Sequence, residues 1–127
     1  MNDNCIAPDV FDRLLEAMKG DRDGLAELYC EFLTEGRRTV AKLRKAASER
    51  QAEQLRNSAH YLKGSSQVVG ARILAQCCTS LEQKGRNSDF SEVEQLLGLT
   101  VQELERVESE LTTRLGPTVL PARGSAA

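Results

Sequence analysis

The apolar residues of this chain recur every three or four positions along five segments, which is the spacing of amphipathic helices. Polar and charged residues occupy the positions between them, and Gly, Pro, Asn and Asp cluster between the segments. We predict helices from Pro8 to Gly20, from Asp21 or Asp23 to Ala47, from Ala52 to Val69, from Ile73 to Lys84 and from Ser91 to Leu115. Short connections place such helices antiparallel, so the predicted fold is all-α, an antiparallel up-down four-helix bundle with a short additional N-terminal helix.

Local signals mark the ends of the later helices. Ser91 and Glu94 have the spacing of a capping box, and Gly116-Pro117 is a strong stop signal. The composition from Gly85 to Asp89 predicts a loop. We therefore predict a helical-bundle domain over residues 1–116 and a flexible C-terminal tail over residues 117–127.

Composition and charge narrow the function. Apolar residues make up 40% of the 127 residues and aromatic residues 4%, enough for one core built mainly from aliphatic side chains. The net charge of −2 argues against a nucleic-acid-binding protein, which usually has a basic face. No apolar run approaches the roughly 20 residues that cross a bilayer, and the N-terminus lacks the pattern of a signal peptide. We expect a cytoplasmic protein that binds neither nucleic acid nor membrane.

The four cysteines, Cys5, Cys30, Cys77 and Cys78, have neither disulfide-framework nor metal-site spacing. No C-x-x-C occurs and the chain has a single histidine, so a zinc site would have few soft ligands. We expect free thiols in a reducing compartment and no metal site. A thiol-dependent enzyme at Cys77 or Cys78 is an alternative, although cysteines among apolar neighbours inside a helix are poor nucleophiles.

The single histidine, His60, lies on the third predicted helix but not on its apolar face. At about 100° per residue, Leu55, Ala59, Leu62, Ser66 and Val69 form a stripe within roughly 40° of Leu55. His60 lies near 140° on the same wheel, taking ~100° per residue. This position argues against a histidine buried in the core. From geometry alone, a surface histidine without a function remains the simpler alternative.

The neighbours of His60 favour a function. Lys63, Gly64 and Gln67 share its face at i+3, i+4 and i+7. Glycine in a helix costs about 1 kcal/mol relative to alanine, and Gly64 leaves room beside the imidazole for another protein. An ammonium one turn away, on Lys63, is placed to hold a phosphate, and the Ser65 hydroxyl is nearby.

The chemistry of an imidazole without catalytic partners fits a carrier better than a catalyst. Imidazole is largely neutral at pH 7 and offers a free ring nitrogen as a nucleophile. A phosphoimidazole has a labile P–N bond, so the group can pass on to a carboxylate. The sequence contains no phosphate-binding glycine loop and no nucleophile-elbow motif, and it has no room for an ATP-binding domain.

The segment His60-Tyr61-Leu62-Lys63-Gly64-Ser65-Ser66, followed by Gly70-Ala71, resembles the signature of histidine-containing phosphotransfer (HPt) domains. That signature reads His-x-Leu-Lys-Gly-Ser-(Ser/Ala)-x-x-x-Gly-Ala. The helix from Ile73 to Arg86 is similar to the one that packs beside the active histidine in stand-alone members. The resemblance covers the chain from about Pro8 to Leu115.

The resemblance implies a role for each matched residue. His60 would be phosphorylated, Lys63 would hold the phosphoryl group, and Gly64 would keep the surface open. Further possible contacts to phosphate or partner are Ser65, Gln67 and Arg86. Where some members have glutamine near the phosphoryl group, this chain has Glu82, whose carboxylate is a poor neighbour for phosphate.

The resemblance also implies the partners. These would be receiver domains of response regulators and of hybrid sensor histidine kinases, and the chain would pass phosphate between their aspartates without catalytic activity or cofactor of its own. Mg²⁺ would be bound by the receiver domain. We expect a monomer whose second and third helices supply the docking surface; Leu28, Phe32 and Tyr61 are candidates for it, although Phe32 fits the core better. The alternative function is a helical scaffold that binds signalling proteins without phosphorylation.

Overall fold

The computed structural model describes residues 4–120, and these residues contain α-helices and one 3₁₀ turn but no strand. The all-α class is therefore confirmed. The helices are α1 (Pro8–Ala17), α2 (Arg22–Ser48), α3 (Ala52–Val69), α4 (Arg72–Arg86) and α5 (Val93–Leu115), followed by the 3₁₀ helix Pro117–Val119. None of these helices is long and apolar enough to cross a membrane, as far as the described residues go.

The four long helices pack in a ring. α3 lies between α2 and α4, and α5 closes the ring by packing against both α4 and α2. The short α1 contacts α2 and α3. The apolar stripes meet inside this ring in two neighbouring clusters, a larger one centred on Tyr29, Leu33 and Leu74 and a smaller one on Leu43, Leu55 and Leu97. The burial of these stripes is the main source of stability for the fold.

The stripe predicted on α3 is confirmed. All of its members are buried: Leu55, Ala59, Leu62, Ser66 and Val69. Two other predicted features also hold. Asp21 caps α2 by accepting a hydrogen bond from the Gly24 N–H at 3.0 Å, and Phe32 is buried in the core.

The loop predicted from Gly85 onward starts two residues later, because α4 continues to Arg86. Gly85 is buried where α4 crosses α3. A Cβ atom at this position would lie 2.6 Å from the Arg56 nitrogen and 2.8 Å from the Ala52 oxygen, both backbone atoms. The glycine therefore permits close helix contact and does not mark a loop.

The capping box predicted at Ser91 and Glu94 is wrong. α5 begins at Val93, and Ser91 lies ahead of it in a turn. There the Ser91 hydroxyl and N–H donate to Asp89 Oδ1 at 2.6 and 3.0 Å, and Lys84 donates to Asp89 Oδ2. These hydrogen bonds lower the pKa of Asp89 to about 2. The Ser91 side chain is therefore hydrogen-bonded to Asp89 and does not cap α5.

The flexible tail predicted over residues 117–127 needs correction at its start. Gly116 ends α5 with a φ of 90°, as the stop signal indicated, but Pro117–Val119 then packs against α2 and α5. Val119 is fully buried in the larger cluster. A single apolar anchor has no periodicity, so the pattern of the sequence did not reveal it. Residues 121–127 of the predicted tail lie outside the described residues.

Candidate functional site around His60

His60 lies in the middle of α3 on the outward face, with 68% of its side chain exposed. Its neighbours on the helix explain this position, because Ala59 and Leu62 are buried and fix the rotation of α3. The imidazole therefore points away from the core, in the direction that the helical wheel predicted.

A carboxylate from α4 meets the imidazole. Glu82 Oε2 lies 2.8 Å from His60 Nδ1, and Glu82 Oε1 accepts a hydrogen bond from Lys63 Nζ at 2.7 Å. A guanidinium nitrogen of Arg86 lies 3.5 Å from Oε2. Glu82 itself is only 5% exposed. One buried anion thus contacts three side chains that reach the surface.

The ionisation of Glu82 decides which nitrogen of His60 is reactive. The hydrogen bond from Lys63 lowers the pKa of Glu82, and the hydrogen bond from His60 lowers it further, while burial opposes both. The carboxylate is therefore ionised at neutral pH and can only accept hydrogen bonds. His60 Nδ1 must then carry the proton, and in the neutral ring Nε2 has the free lone pair.

The close contact between α3 and α4 explains how Glu82 reaches this position. Gly85 lets the two backbones approach at the next turn of α4, and Cys78 and Leu81 anchor the buried side of that helix. The approach brings a glutamate on a mostly buried helix face within hydrogen-bond distance of an exposed histidine. The carboxylate is a fixed part of the packing and not a mobile surface group.

Gly64 leaves open space one turn after His60. A Cβ atom built there meets no other atom within 4 Å, so alanine would fit without strain. Alanine would also favour the helix by about 1 kcal/mol. The packing of this chain does not require the glycine, which points instead to contact with something outside the chain.

The other predicted site residues are not all brought together. Arg86 joins the site through Glu82. The Ser65 hydroxyl turns back to its own helix and donates to the Tyr61 carbonyl at 3.0 Å. Gln67 is exposed two turns after His60, and no hydrogen bond between described residues links it to the imidazole. Tyr61 is 55% exposed beside the site, while Leu28 is half-buried.

Glu82 is the residue whose position the sequence did not reveal. The resemblance implies for it only a departure from the glutamine of some members and a poor neighbour for phosphate. The structure gives it a different place, as the partner of His60 Nδ1 and Lys63. The available signal was local, since Glu82 and Arg86 have the i, i+4 spacing of a helical ion pair.

Cys77 and Cys78, the candidates for a thiol-dependent enzyme, are half-buried and buried. All four are free; burial raises the pKa of Cys78 to about 12 and also raises that of Cys77. Both are therefore protonated thiols at neutral pH, which weakens the thiol-enzyme alternative. Among residues 4–120, no group of three or more His, Cys, Asp or Glu side chains is arranged to hold a metal ion.

Comparisons with known proteins agree on one family. The family model named Hpt domain matches residues 27–110. The chain is 30% identical over 77 residues to multistep phosphorelay regulator 1 of Schizosaccharomyces pombe, a match that covers 60% of this chain and 26% of that protein. The crystal structure of histidine-containing phosphotransfer protein B from Pseudomonas aeruginosa PAO1 is also similar. It has a TM-score of 0.82 and 25% identity, covering 89% of this chain and 96% of that one.

Proposed function

The chain belongs to the Hpt domain family, and we propose that His60 is the residue on which it carries a phosphoryl group. Membership of this family makes the chain a phosphotransfer intermediate of a phosphorelay. The observation that supports His60 is the orientation of its ring. Nδ1 is engaged by Glu82, so the nucleophilic Nε2 belongs to an imidazole that is 68% exposed. It is also the only histidine in the chain.

The transfer step follows from this orientation. The Nε2 lone pair attacks the phosphorus of a receiver-domain aspartyl phosphate; the N–P bond forms, and the P–O bond breaks with its electron pair on the aspartate. Nδ1 keeps its proton, so the phosphorylated ring is cationic. The ionised carboxylate of Glu82, 2.8 Å from Nδ1, stabilises that positive charge. The reverse step passes the group to the next aspartate.

Lys63 and Gly64 assist from the same face. The Lys63 ammonium is one turn from His60 and partly exposed, so a change of side-chain rotamer takes it from Glu82 to a phosphoryl oxygen. Arg86 then remains beside Glu82 as a second cation. Gly64 leaves the approach to Nε2 open for the partner. Ser65 and Gln67 are secondary contacts, of which Gln67 has the more exposed side chain.

The remaining features of the proposal concern the partners. They are receiver domains of response regulators and of hybrid sensor histidine kinases, which contribute both catalysis and Mg²⁺, while this chain acts as a cytoplasmic, monomeric carrier without catalytic activity.

We also propose that α2–α5 run alternately up and down as an antiparallel four-helix bundle, with α1 as the additional N-terminal helix. Support comes from the ring of contacts, in which each long helix packs against two others.

The experiment compares the native chain with His60→Gln. Each is incubated with a radiolabelled phosphorylated receiver domain and, separately, with labelled phosphoramidate, a small donor that needs no docking. We expect an adduct that is acid-labile and base-stable on the native chain and absent from the variant. Circular dichroism shows whether the variant has kept its helices. Equal labelling of both proteins, or no label on the native chain from either donor, would contradict the proposal.

A further inference from the structure

The proton on His60 Nδ1 decides whether the phosphorylated imidazole is a good leaving group. When the phosphoryl group leaves, the N–P bond breaks and its electron pair returns to Nε2. If Nδ1 is protonated, the departing ring is neutral imidazole. Without that proton the ring would depart as an imidazolate anion, which is far more basic and leaves much more slowly. Since an imidazole exchanges a proton with water near neutral pH, a group that keeps the proton on Nδ1 also keeps the phosphoryl group transferable.

The position of Glu82 suits this role. Its Oε2 lies 2.8 Å from His60 Nδ1, and the carboxylate is buried, so water competes little for the hydrogen bond. The contact between α3 and α4 fixes the carboxylate, while the imidazole itself stays exposed. A hydrogen bond to an ionised group is about twice as strong as one between neutral groups. An amide at this position would accept the same hydrogen bond but bring no charge.

The charge of Glu82 has two cations to stabilise it. Lys63 Nζ donates to Oε1 at 2.7 Å, and a guanidinium nitrogen of Arg86 lies 3.5 Å from Oε2. When Lys63 turns to a phosphoryl oxygen, Arg86 remains. The titratable neighbour on the same helix is Cys78, whose pKa burial raises to about 12, so it is an uncharged thiol. In the described part of the chain, no ion pair reaches Glu82 from α2 or α5.

We propose that Glu82 holds the proton on Nδ1 of phosphorylated His60, so that the carrier releases its phosphoryl group at a nearly constant rate from neutral to mildly alkaline pH. The inference rests on the proposed function and adds Glu82 to it as a positioning residue, which acts through the imidazole. On release, an aspartate oxygen of the receiver attacks phosphorus and the O–P bond forms. The N–P bond breaks with its electron pair on Nε2, while Nδ1 keeps its proton and Glu82 its negative charge.

The test compares Glu82→Gln with Glu103→Gln. Both substitutions remove one buried carboxylate, and the ion pair of Glu103 is with Arg106 on its own helix. Each protein is loaded on His60 with phosphoramidate, which needs no docking, and circular dichroism shows whether the helices are kept. Two quantities are then measured between about pH 6 and pH 9, on either side of the range in which imidazole titrates. They are the phosphorus NMR shift of the phosphorylated ring and the rate of transfer to an unphosphorylated receiver domain with Mg²⁺.

We expect the transfer rate of Glu82→Gln to fall about tenfold relative to the native chain across this range. Its phosphorus shift should titrate at a pH about one unit lower than that of the native chain, and Glu103→Gln should behave like the native chain in both measurements. The substitution also frees Lys63. This changes the rate by the same factor at every pH, because an ammonium stays charged over this range, so it does not imitate the change in slope.

Three results would overturn the role of Glu82. One is a transfer rate that depends on pH in the same way in the native chain and in Glu82→Gln. Another is an equal change for Glu82→Gln and Glu103→Gln, which would indicate a response to the loss of any buried charge. The third needs only the native chain and decides the matter if Glu82→Gln does not fold: a phosphorus shift that titrates at the same pH as that of free Nε2-phosphohistidine.

The proposed function is tested separately by the loading step. Continued labelling of His60 by phosphoramidate would leave that function intact whatever the pH dependence shows. Absence of label on the native chain would contradict the proposed function itself.

Discussion

Two glutamates are buried in the described part of the molecule, and their surroundings differ. Glu82, between α3 and α4, is 5% exposed and contacts His60, Lys63 and Arg86. Glu103, on α5, is 4% exposed and forms an ion pair through Oε1 with one described cation, Arg106. The same type of side chain thus contacts two cations and an imidazole at one helix interface and one cation at another.

The difference shows what each interface does with a buried negative charge. Burying a carboxylate costs free energy unless cations and hydrogen bonds offset the loss of water. At Glu82 the offsetting groups are side chains that reach the surface, one of them the exposed His60. At Glu103 the charge faces thiols. The pKa of Cys5 is raised to about 11, first by burial and then by the negative charge of Glu103. The same charge also raises the pKa of Cys77.

The largest expected effect is on the helix contact that positions Glu82. Gly85→Ala places a methyl group against the backbone of α3, and we expect it to lower the free energy of unfolding by about 2–3 kcal/mol. Gly98→Ala on α5 is the matched control. Its Cβ meets open space, so it should raise stability by about 1 kcal/mol. Urea denaturation measures both, and a stabilising Gly85→Ala would show that close contact does not require the glycine.

The next largest expected effect is a difference in stability between variants of the two buried glutamates. Glu82→Met leaves Lys63 and Arg86 without their anion, and we expect a loss of about 2 kcal/mol in unfolding free energy. Glu103→Met removes a carboxylate whose ion-pair partner, Arg106, reaches solvent. That substitution should leave stability within about 1 kcal/mol of native. Equal losses for the two variants in denaturant titrations would remove the distinction drawn between the interfaces.

The smallest effect is the pH dependence of stability. The pKa of Glu82 is lower in the folded chain than in the unfolded chain, chiefly because of Lys63. Its contribution is therefore fully present above the unfolded value of about 4.3 and is lost as the pH falls through the folded value. The stability gap between the native chain and Glu82→Gln should narrow across this acidic range. If urea titration shows the same difference in unfolding free energy between the two proteins from pH 7 down to pH 3, the lowered pKa of Glu82 is contradicted.

The sequence by itself determined the helices and the direction of His60. Periodicity set both, because residues of one helix keep their angular relation wherever the helix packs. Leu55, Ala59 and Leu62 specify the buried face, and the histidine then has to lie outside it. The signature from His60 to Ser66 identified the family for the same reason, since its residues act from one continuous helix.

Only the tertiary structure decided what lies across from that helix. Glu82 is 22 residues from His60 along the chain, and nothing in its local pattern shows that α4 turns it toward Nδ1. Gly85 had the composition of a loop, but contact with the α3 backbone made it helical and buried. Val119 is a single apolar residue outside any periodic pattern, and its burial depends on the contacts of its 3₁₀ helix with α2 and α5. In each case, the deciding energy comes from groups far apart in sequence, which local periodicity does not encode.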